Sequence, residues 1–530
     1  MPPPIQVPAT KKIAESKLPL CAELPFTLLD PSTFHAPHVK LDFALLTIKL
    51  YFLDMIKTKI ICTIGPSSRS MEKLTQLAEA GMDVARLNFS HGTHAEHLEV
   101  INRLKEVRKK LQKPLAIMLD TKGPEIRLGK LKSDKIFLHP GQVWILTKEE
   151  ILGDEERASI VPGNVLDTVQ IGTTLLFDDG YISSRAIRVS SEEIAVVIEN
   201  GGFISSNKGV NIPNTHLNLP AVTEKDCADI RFGCSQDIDI IAASFVRSAE
   251  HVWTIRHLLA EEKTPDILIV AKIENSEGVQ NFDSIVQAAD GIMIARGDLG
   301  VEVPLSHVPR LQKMMIRKCY LEGKPVVTAT QMLESMIHNP RPTRAETSDV
   351  ANAIYDSTSA VMLSGETAIG KYPVETVQMM REIAAEAEAD FNYRAFFDYH
   401  APLALHDVPS SVALATVKTA YNCNARAIFA FTKGGRTARL LSRLRPKMAI
   451  IVLAASEKLY HQLAFNWGII PYHQEPCTNL DDGFLKLSAF ALNHKLVSYG
   501  DLVVITAGTP FGVSGTTNMM IVESIGNRVL

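Results

Sequence analysis

From position 57 onward the chain alternates short apolar runs with longer amphipathic ones. The runs at 60–64, 84–88, 115–120, 238–243, 267–273, 292–295, 326–329 and 360–363 are rich in Ile, Val and Leu and bounded by polar residues, the pattern of strands buried on both faces. Between and after them, residues 71–80, 95–111, 252–262, 282–289, 308–322, 344–355 and 374–389 place apolar positions three and four apart, which predicts helices. Eight such strands, all but the third followed by a predicted helix, give the count of a closed parallel (β/α)₈ barrel.

Residues 124–220 interrupt this alternation. Strand-like runs at 143–147, 174–177, 187–189 and 194–198 are separated by turn residues, so a small all-β domain is expected to be inserted after the third barrel strand. That position lies above the face where barrel active sites form, where an inserted domain acts as a lid. After about residue 391 a third unit begins, with strands expected at 427–431, 449–453, 469–472, 502–506 and 520–523 and helices between most of them, an open α/β domain. The expected organisation is therefore α/β: a (β/α)₈ barrel from 55–123 and 221–390, a β lid domain at 124–220, and a C-terminal α/β domain at 391–530. Residues 1–54 follow none of these patterns and carry scattered prolines that break any long helix.

Composition narrows the class. The 530-residue chain is 46% hydrophobic and 22% charged, ordinary for a soluble protein of two to four domains. A net charge of −4 argues against nucleic acid as a partner. No run reaches the roughly 20 apolar residues of a membrane span. Seven dispersed cysteines without a CxxC pair read as reduced thiols of a cytoplasmic protein.

The chemistry gathers at the predicted strand ends. Ile269-Val-Ala-Lys-Ile-Glu-Asn-Ser-Glu-Gly278 puts Lys272 and Glu274 on one face of the fifth strand, and Asp298 follows the sixth, roughly 5 Å away per strand step. A fixed ammonium beside two carboxylates suits a divalent metal holding a phosphorylated anion; a structural salt-bridge cluster is the plainer alternative. Arg86-Leu-Asn-Phe-Ser-His-Gly92 offers a guanidinium for a phosphate and, at Asn88 and Ser90, neutral oxygens for a monovalent cation. Asp120-Thr-Lys-Gly-Pro-Glu-Ile-Arg127 is a hinge into the inserted domain that also carries acids and bases. Glycines in Ala295-Arg-Gly-Asp-Leu-Gly300 let backbone N–H groups approach an anion, and Thr330 ends the seventh strand. In the last domain Thr432-Lys-Gly-Gly-Arg-Thr437 opens a helix with small residues and two cations, a candidate phosphate nest.

Taken together these segments, with Lys59-Ile-Ile-Cys-Thr-Ile-Gly-Pro66 and Met362-Leu-Ser-Gly-Glu366, resemble pyruvate kinase in motif and in order, from about residue 55 to the C-terminus. The resemblance implies transfer of the phosphoryl group of phosphoenolpyruvate to ADP, giving pyruvate and ATP. It implies that Arg86 grips the substrate phosphate, that Lys272 supports the phosphoryl group in flight, and that Glu274 and Asp298 hold Mg²⁺ (or Mn²⁺). The Ala295, Arg296 and Gly297 backbone and Thr330 would bind the substrate carboxylate. Asn88, Ser90, Asp120 and Thr121 would hold K⁺, while Asn88, His91, Arg127 and Lys208 would face the nucleotide. Glu125 marks members that resemble the K⁺-dependent type. The resemblance also implies a homotetramer, with a phosphorylated effector bound at Thr432, Lys433, Gly434, Gly435, Arg436 and Thr437 and by 508–517. Residues 1–54 have no counterpart in that pattern, and Met55 is the expected initiator. Two rival readings are a Mg²⁺-dependent barrel lyase or aldolase and a non-catalytic metabolite sensor.

Overall fold

The structure is a computed structural model that describes residues 56–403, 407–474, 477, 479–510 and 515–527. The expectations for residues 1–54 and for Met55 lie outside these residues, as does part of the 508–517 loop.

The eight predicted strands form a closed parallel barrel in which each strand pairs with its neighbours in sequence. They are β1 (Lys59–Ile64), β2 (Val84–Asn88), β3 (Ala116–Asp120), β4 (Ile240–Ala243), β5 (Leu268–Ile273), β6 (Gly291–Ala295), β7 (Val326–Ala329) and β8 (Ala360–Leu363). Closure is made by β1 against β8, with Lys59 opposite Ala360 and Cys62 opposite Leu363. The strands are buried almost without exception, because one face meets the barrel interior and the other meets the helices. Helices begin where the sequence supplies caps. Thr93 and Glu96 form a reciprocal capping box before His94–Leu111, and Thr343 and Glu346 do the same before Arg344–Tyr355. The helix Glu224–Ser235, not singled out by hydrophobic spacing, also starts on a capping box, made by Thr223 and Asp226.

The barrel interior is packed with Ile61, Val84, Met118, Val270, Met293 and Val327 among others. Ala464 and Phe465 belong to the same cluster, so the short turn Leu463–Phe465 of the C-terminal region stoppers the barrel floor. Gly291 makes room for it: a Cβ there would stand 3.1 Å from Phe465 Cε1. Burying a Phe ring this way contributes on the order of 2 kcal/mol.

The inserted segment forms a seven-stranded sheet and a separate two-stranded one, with their own core around Trp144 and Phe177. The two outer strands of the larger sheet, Arg127–Leu128 and Val210–Asn211, meet through an Arg127–Gly209 bridge, so its edges are joined. The chain enters through Gly123, whose φ of +73° and closeness to Ser244 and Phe245 leave no space for a side chain. The C-terminal region carries a five-stranded sheet in which Thr517–Ser524 runs antiparallel to Leu502–Gly508 and the other pairings are parallel. No described helix is long and apolar enough to cross a membrane.

Candidate active site

The C-terminal ends of β2, β3, β4 and β5 bring one connected group of charges together. Arg86, in the middle of β2, donates from Nε to Asp120 Oδ2 at 2.6 Å and from Nη1 to Thr63 Oγ1 at 2.9 Å. Asp120, the last residue of β3, uses its other oxygen to accept from Lys272 Nζ at 3.0 Å. Lys272, on β5, also reaches Glu274 Oε1 at 3.0 Å and Ser244 Oγ at 2.7 Å. Its three ammonium protons therefore have three acceptors. Asp120 and Glu274 are each 1% exposed, so the group sits in a low-dielectric pocket where these charges act strongly on one another.

The electrostatic consequences differ between members. Desolvation alone would raise Asp120, but Arg86 and Lys272 outweigh it and hold its carboxyl below the usual range. Desolvation would likewise lower Lys272, yet Asp120 and Glu274 lift its ammonium above the usual lysine range. Glu274 is pushed up to about 7 by burial, with Asp298 adding to the rise and Lys272 opposing it. Asp298 is raised for the same first reason, and Asp179 and Glu125 add to it. Two desolvated carboxylates, Glu274 buried and Asp298 half-buried, fit a divalent cation. Among the described residues no group of three or more His, Cys, Asp or Glu is placed to hold a metal. A cation here would thus have two protein carboxylates and take its other ligands from substrate and water, the habit of Mg²⁺.

Ser244 and Phe245, which follow β4, were not singled out from sequence. Ser244 Oγ donates to the Thr121 carbonyl at 2.6 Å while accepting from Lys272. Phe245 is held at φ +54° and its N–H donates to Glu274 Oε2 at 2.6 Å. Neither signal is visible in one sequence, because a hydroxyl and a strained φ acquire meaning only from the neighbouring strands.

The sixth and seventh strands supply the next wall. Gly297 N–H donates to Thr330 Oγ1 at 2.7 Å, and Thr330 and Gln331 both sit at positive φ. The Arg296 side chain turns away: it pairs with Asp349 at 2.7 Å and donates to the Thr330 carbonyl at 2.7 Å, so only its backbone faces the site. Asn88 lies beside Asp120 in register, and its Oδ1 accepts from Ser90 N–H. Thr121 Oγ1 accepts from Ser244 N–H. His91 is exposed at the rim.

Between the barrel mouth and the inserted sheet lies a cavity of about 270 Å³ lined by Glu125, Arg127, Asp179, Lys208, Asp298 and Glu302, among others. Arg127 Nε and Nη2 grip Glu125 at 2.7 and 2.6 Å, and Lys208 Nζ pairs with Asp178 at 2.7 Å. Thr432, Lys433, Gly434, Gly435, Arg436 and Thr437 lie apart from this site, at the turn before the helix Arg436–Arg443. There Arg436 pairs with Asp407 at 2.9 Å and Thr437 bonds Thr517 at 2.6 Å.

Comparison with known proteins agrees with this layout. Residues 55–377 match the pyruvate kinase barrel domain, and residues 410–523 match the pyruvate kinase alpha/beta domain. A pyruvate kinase of Geobacillus stearothermophilus is 48% identical over 475 residues, covering 89% of this chain and 81% of that protein. One of Clostridium acetobutylicum is 46% identical over 472 residues, covering 89% of this chain and all of that protein. The crystal structure of a pyruvate kinase from Cryptosporidium parvum superposes with a TM-score of 0.85 at 38% identity, covering 91% of this chain and 97% of that one. Matched along both its barrel and its C-terminal sheet, and at this level of identity, the chain belongs to the pyruvate kinase family.

Proposed function

We propose that the linked charges at the barrel mouth carry the reaction of this family, transfer of the phosphoryl group of phosphoenolpyruvate to ADP to give pyruvate and ATP. The observation that carries the assignment is Lys272, buried and bonded at once to Asp120, Ser244 and Glu274. Phosphoryl transfer asks little covalent work of a protein and much alignment and charge neutralisation. Arg86, oriented by Asp120 and Thr63, receives the substrate phosphate. Lys272 gives up its bond to Glu274 and donates to the phosphoryl oxygens in flight. The Ala295–Gly297 backbone and Thr330 hold the substrate carboxylate.

Glu274 and Asp298 would hold Mg²⁺ or Mn²⁺, which supplies charge neutralisation at the phosphate and enolate oxygens. Asn88, Ser90, Asp120 and Thr121 would hold K⁺, whose modest charge suits neutral oxygens beside one carboxylate. Arg127, Lys208 and His91 face the nucleotide, with Lys208 released from Asp178 as ADP enters the cleft. A barrel lyase or aldolase would need neither the inserted sheet nor Lys208, and a metabolite sensor would have no use for an intact Lys272, Glu274, Asp298 and Thr330.

A cytoplasmic homotetramer activated by a phosphorylated metabolite at Thr432–Thr437 completes the reading. Sedimentation reads the assembly. Assays with a panel of sugar phosphates and AMP read activation, and unchanged cooperativity toward phosphoenolpyruvate across the panel would remove it. For the reaction itself, a coupled assay should give pyruvate from phosphoenolpyruvate and ADP only when a divalent and a monovalent cation are both present. Absence of pyruvate under those conditions would overturn the assignment.

A further inference from the structure

The helix Glu224–Ser235 carries none of the substrate or cation residues, yet its first two turns hold both loops that bear the K⁺ candidates. Lys225 Nζ donates to the Phe89 carbonyl at 2.9 Å, between Asn88 and Ser90, and to Asp229 Oδ2 at 2.6 Å. Asp229 is 2% exposed, and its other oxygen accepts from His94 Nε2 at 2.7 Å. Asp226, equally buried, accepts at Oδ1 from Gly123 N–H at 3.0 Å, two residues past Thr121. Its Oδ2 accepts from the N–H and the hydroxyl of Thr223, at 3.0 and 2.6 Å.

Strand pairing accounts for only half of the cation candidates. Asn88 and Asp120 stand opposite each other as the last residues of β2 and β3. Ser90 and Thr121 lie beyond the strand ends, where the chain turns away. There the backbone is tied down by side chains. Lys225 takes the Phe89 carbonyl, and His97 Nε2 donates to the His91 carbonyl at 2.9 Å. The His97 ring also lies flat on Phe89, with ring centres 3.9 Å apart. On the other loop Ser244 takes the Thr121 carbonyl and Asp226 takes Gly123. A cation held mostly by neutral oxygens gains little from each one, so its affinity depends on how firmly they are placed before it arrives.

We propose, on the footing of the K⁺ site proposed for this chain, that Lys225 and Asp226 are positioning residues for the monovalent cation. Lys225 holds the Asn88–Ser90 loop and Asp226 holds the segment that follows Asp120 and Thr121, so one helix braces the two halves of the site against each other. Neither side chain is a ligand. Asp229 fixes Lys225 by its buried carboxylate, and Lys225, whose side chain is 48% exposed, reaches the loop from the protein surface.

The test uses the full chain. Unfolding temperature and pyruvate formation are both followed as K⁺ is titrated, with tetramethylammonium keeping the ionic strength constant. Lys225→Met should raise the half-saturating K⁺ by about three- to tenfold in both readouts, the effect of losing one partly exposed charged hydrogen bond. At saturating K⁺ its KM for phosphoenolpyruvate should match the wild type's, and Lys225→Arg should recover most of the shift. Asp226→Asn, which offers one acceptor oxygen in place of two, should raise the half-saturating K⁺ as well; should it not fold, the Lys225 variants decide. A half-saturation unchanged in a folded variant would overturn the proposal. So would a shift accompanied by an equal loss of phosphoenolpyruvate affinity at saturating K⁺, or one that Lys225→Arg does not recover. A wild type with neither K⁺-dependent turnover nor K⁺-dependent stabilisation would remove the cation site itself, and this inference with it.

Discussion

Lys272 Nζ lies 3.0 Å from Asp120 Oδ1, joining strands that are two apart around the barrel. The pair sets the ammonium where a phosphate held by Arg86 would arrive, because Arg86 grips the other oxygen of the same carboxylate. Lys272→Met removes the charge and keeps most of the volume. Loss of one fixed donor to a developing charge lowers kcat by about 10²- to 10³-fold. Steady-state kinetics, with far-UV circular dichroism to verify folding, check this; near-wild-type kcat would remove Lys272 from the transfer step.

Ser244 acts on that same ammonium from the other side. It accepts from Lys272 and donates to the Thr121 carbonyl, so its hydroxyl has a fixed orientation. Ser244→Ala leaves one ammonium proton without its acceptor and loosens Lys272. Losing a hydrogen bond to a charged group is worth about 1.5–3 kcal/mol, so kcat is expected to fall by roughly 10- to 100-fold. The readout specific to positioning is rescue: Ser244→Thr, which restores a hydroxyl, should recover most of the loss. No recovery would mean that packing alone was disturbed.

Much of this was legible in the sequence, and the reason is periodicity. β2, β7 and β8 lie at the residues their apolar runs indicated, since strands buried on both faces leave little choice of register. The helix Glu224–Ser235 was missed because its apolar positions are few, with Ile230 and Cys234 buried against a charged remainder; only its Thr223–Asp226 cap announced it. Asp120, Lys272 and Glu274 were legible as charged residues ending apolar strands. The partnerships were not. That Arg296 spends its side chain on Asp349, 53 positions away, is a matter of which helix packs behind β6 and β7.

The proposed K⁺ dependence can be tested at Glu125. It accepts from both Arg127 nitrogens that face it, stands 3.9 Å from Lys122, and adds to the rise of the Asp298 carboxyl. Replacing its carboxylate by an ammonium changes the local charge by two units at the edge of the cavity. Glu125→Lys is therefore expected to turn over in K⁺-free buffer, where the wild type does not. Equal wild-type rates with and without K⁺ would end the idea, as would a variant still dependent on K⁺.

At the barrel floor, a buried histidine couples stability to pH. His461 is 5% exposed, and its Nδ1 accepts from Leu115 N–H at 3.3 Å. Burial first, then Arg108, His473 and Lys458, push its imidazole down to about 2. Glu457 stands 3.8 Å from Nε2 but is exposed and does not offset this. The folded value is depressed, so the unfolded chain takes up a proton below about pH 6.5 that the folded chain refuses. The contribution of His461 is present above that pH and is lost as pH falls toward the folded value. Between pH 7 and pH 5 one such group removes about 2 kcal/mol of stability. His461→Gln keeps an acceptor for Leu115 but cannot be protonated, so its stability should fall less steeply over that interval. Denaturant unfolding of both proteins at the two pH values measures the difference, and parallel pH dependences would show that His461 protonates freely in the folded chain.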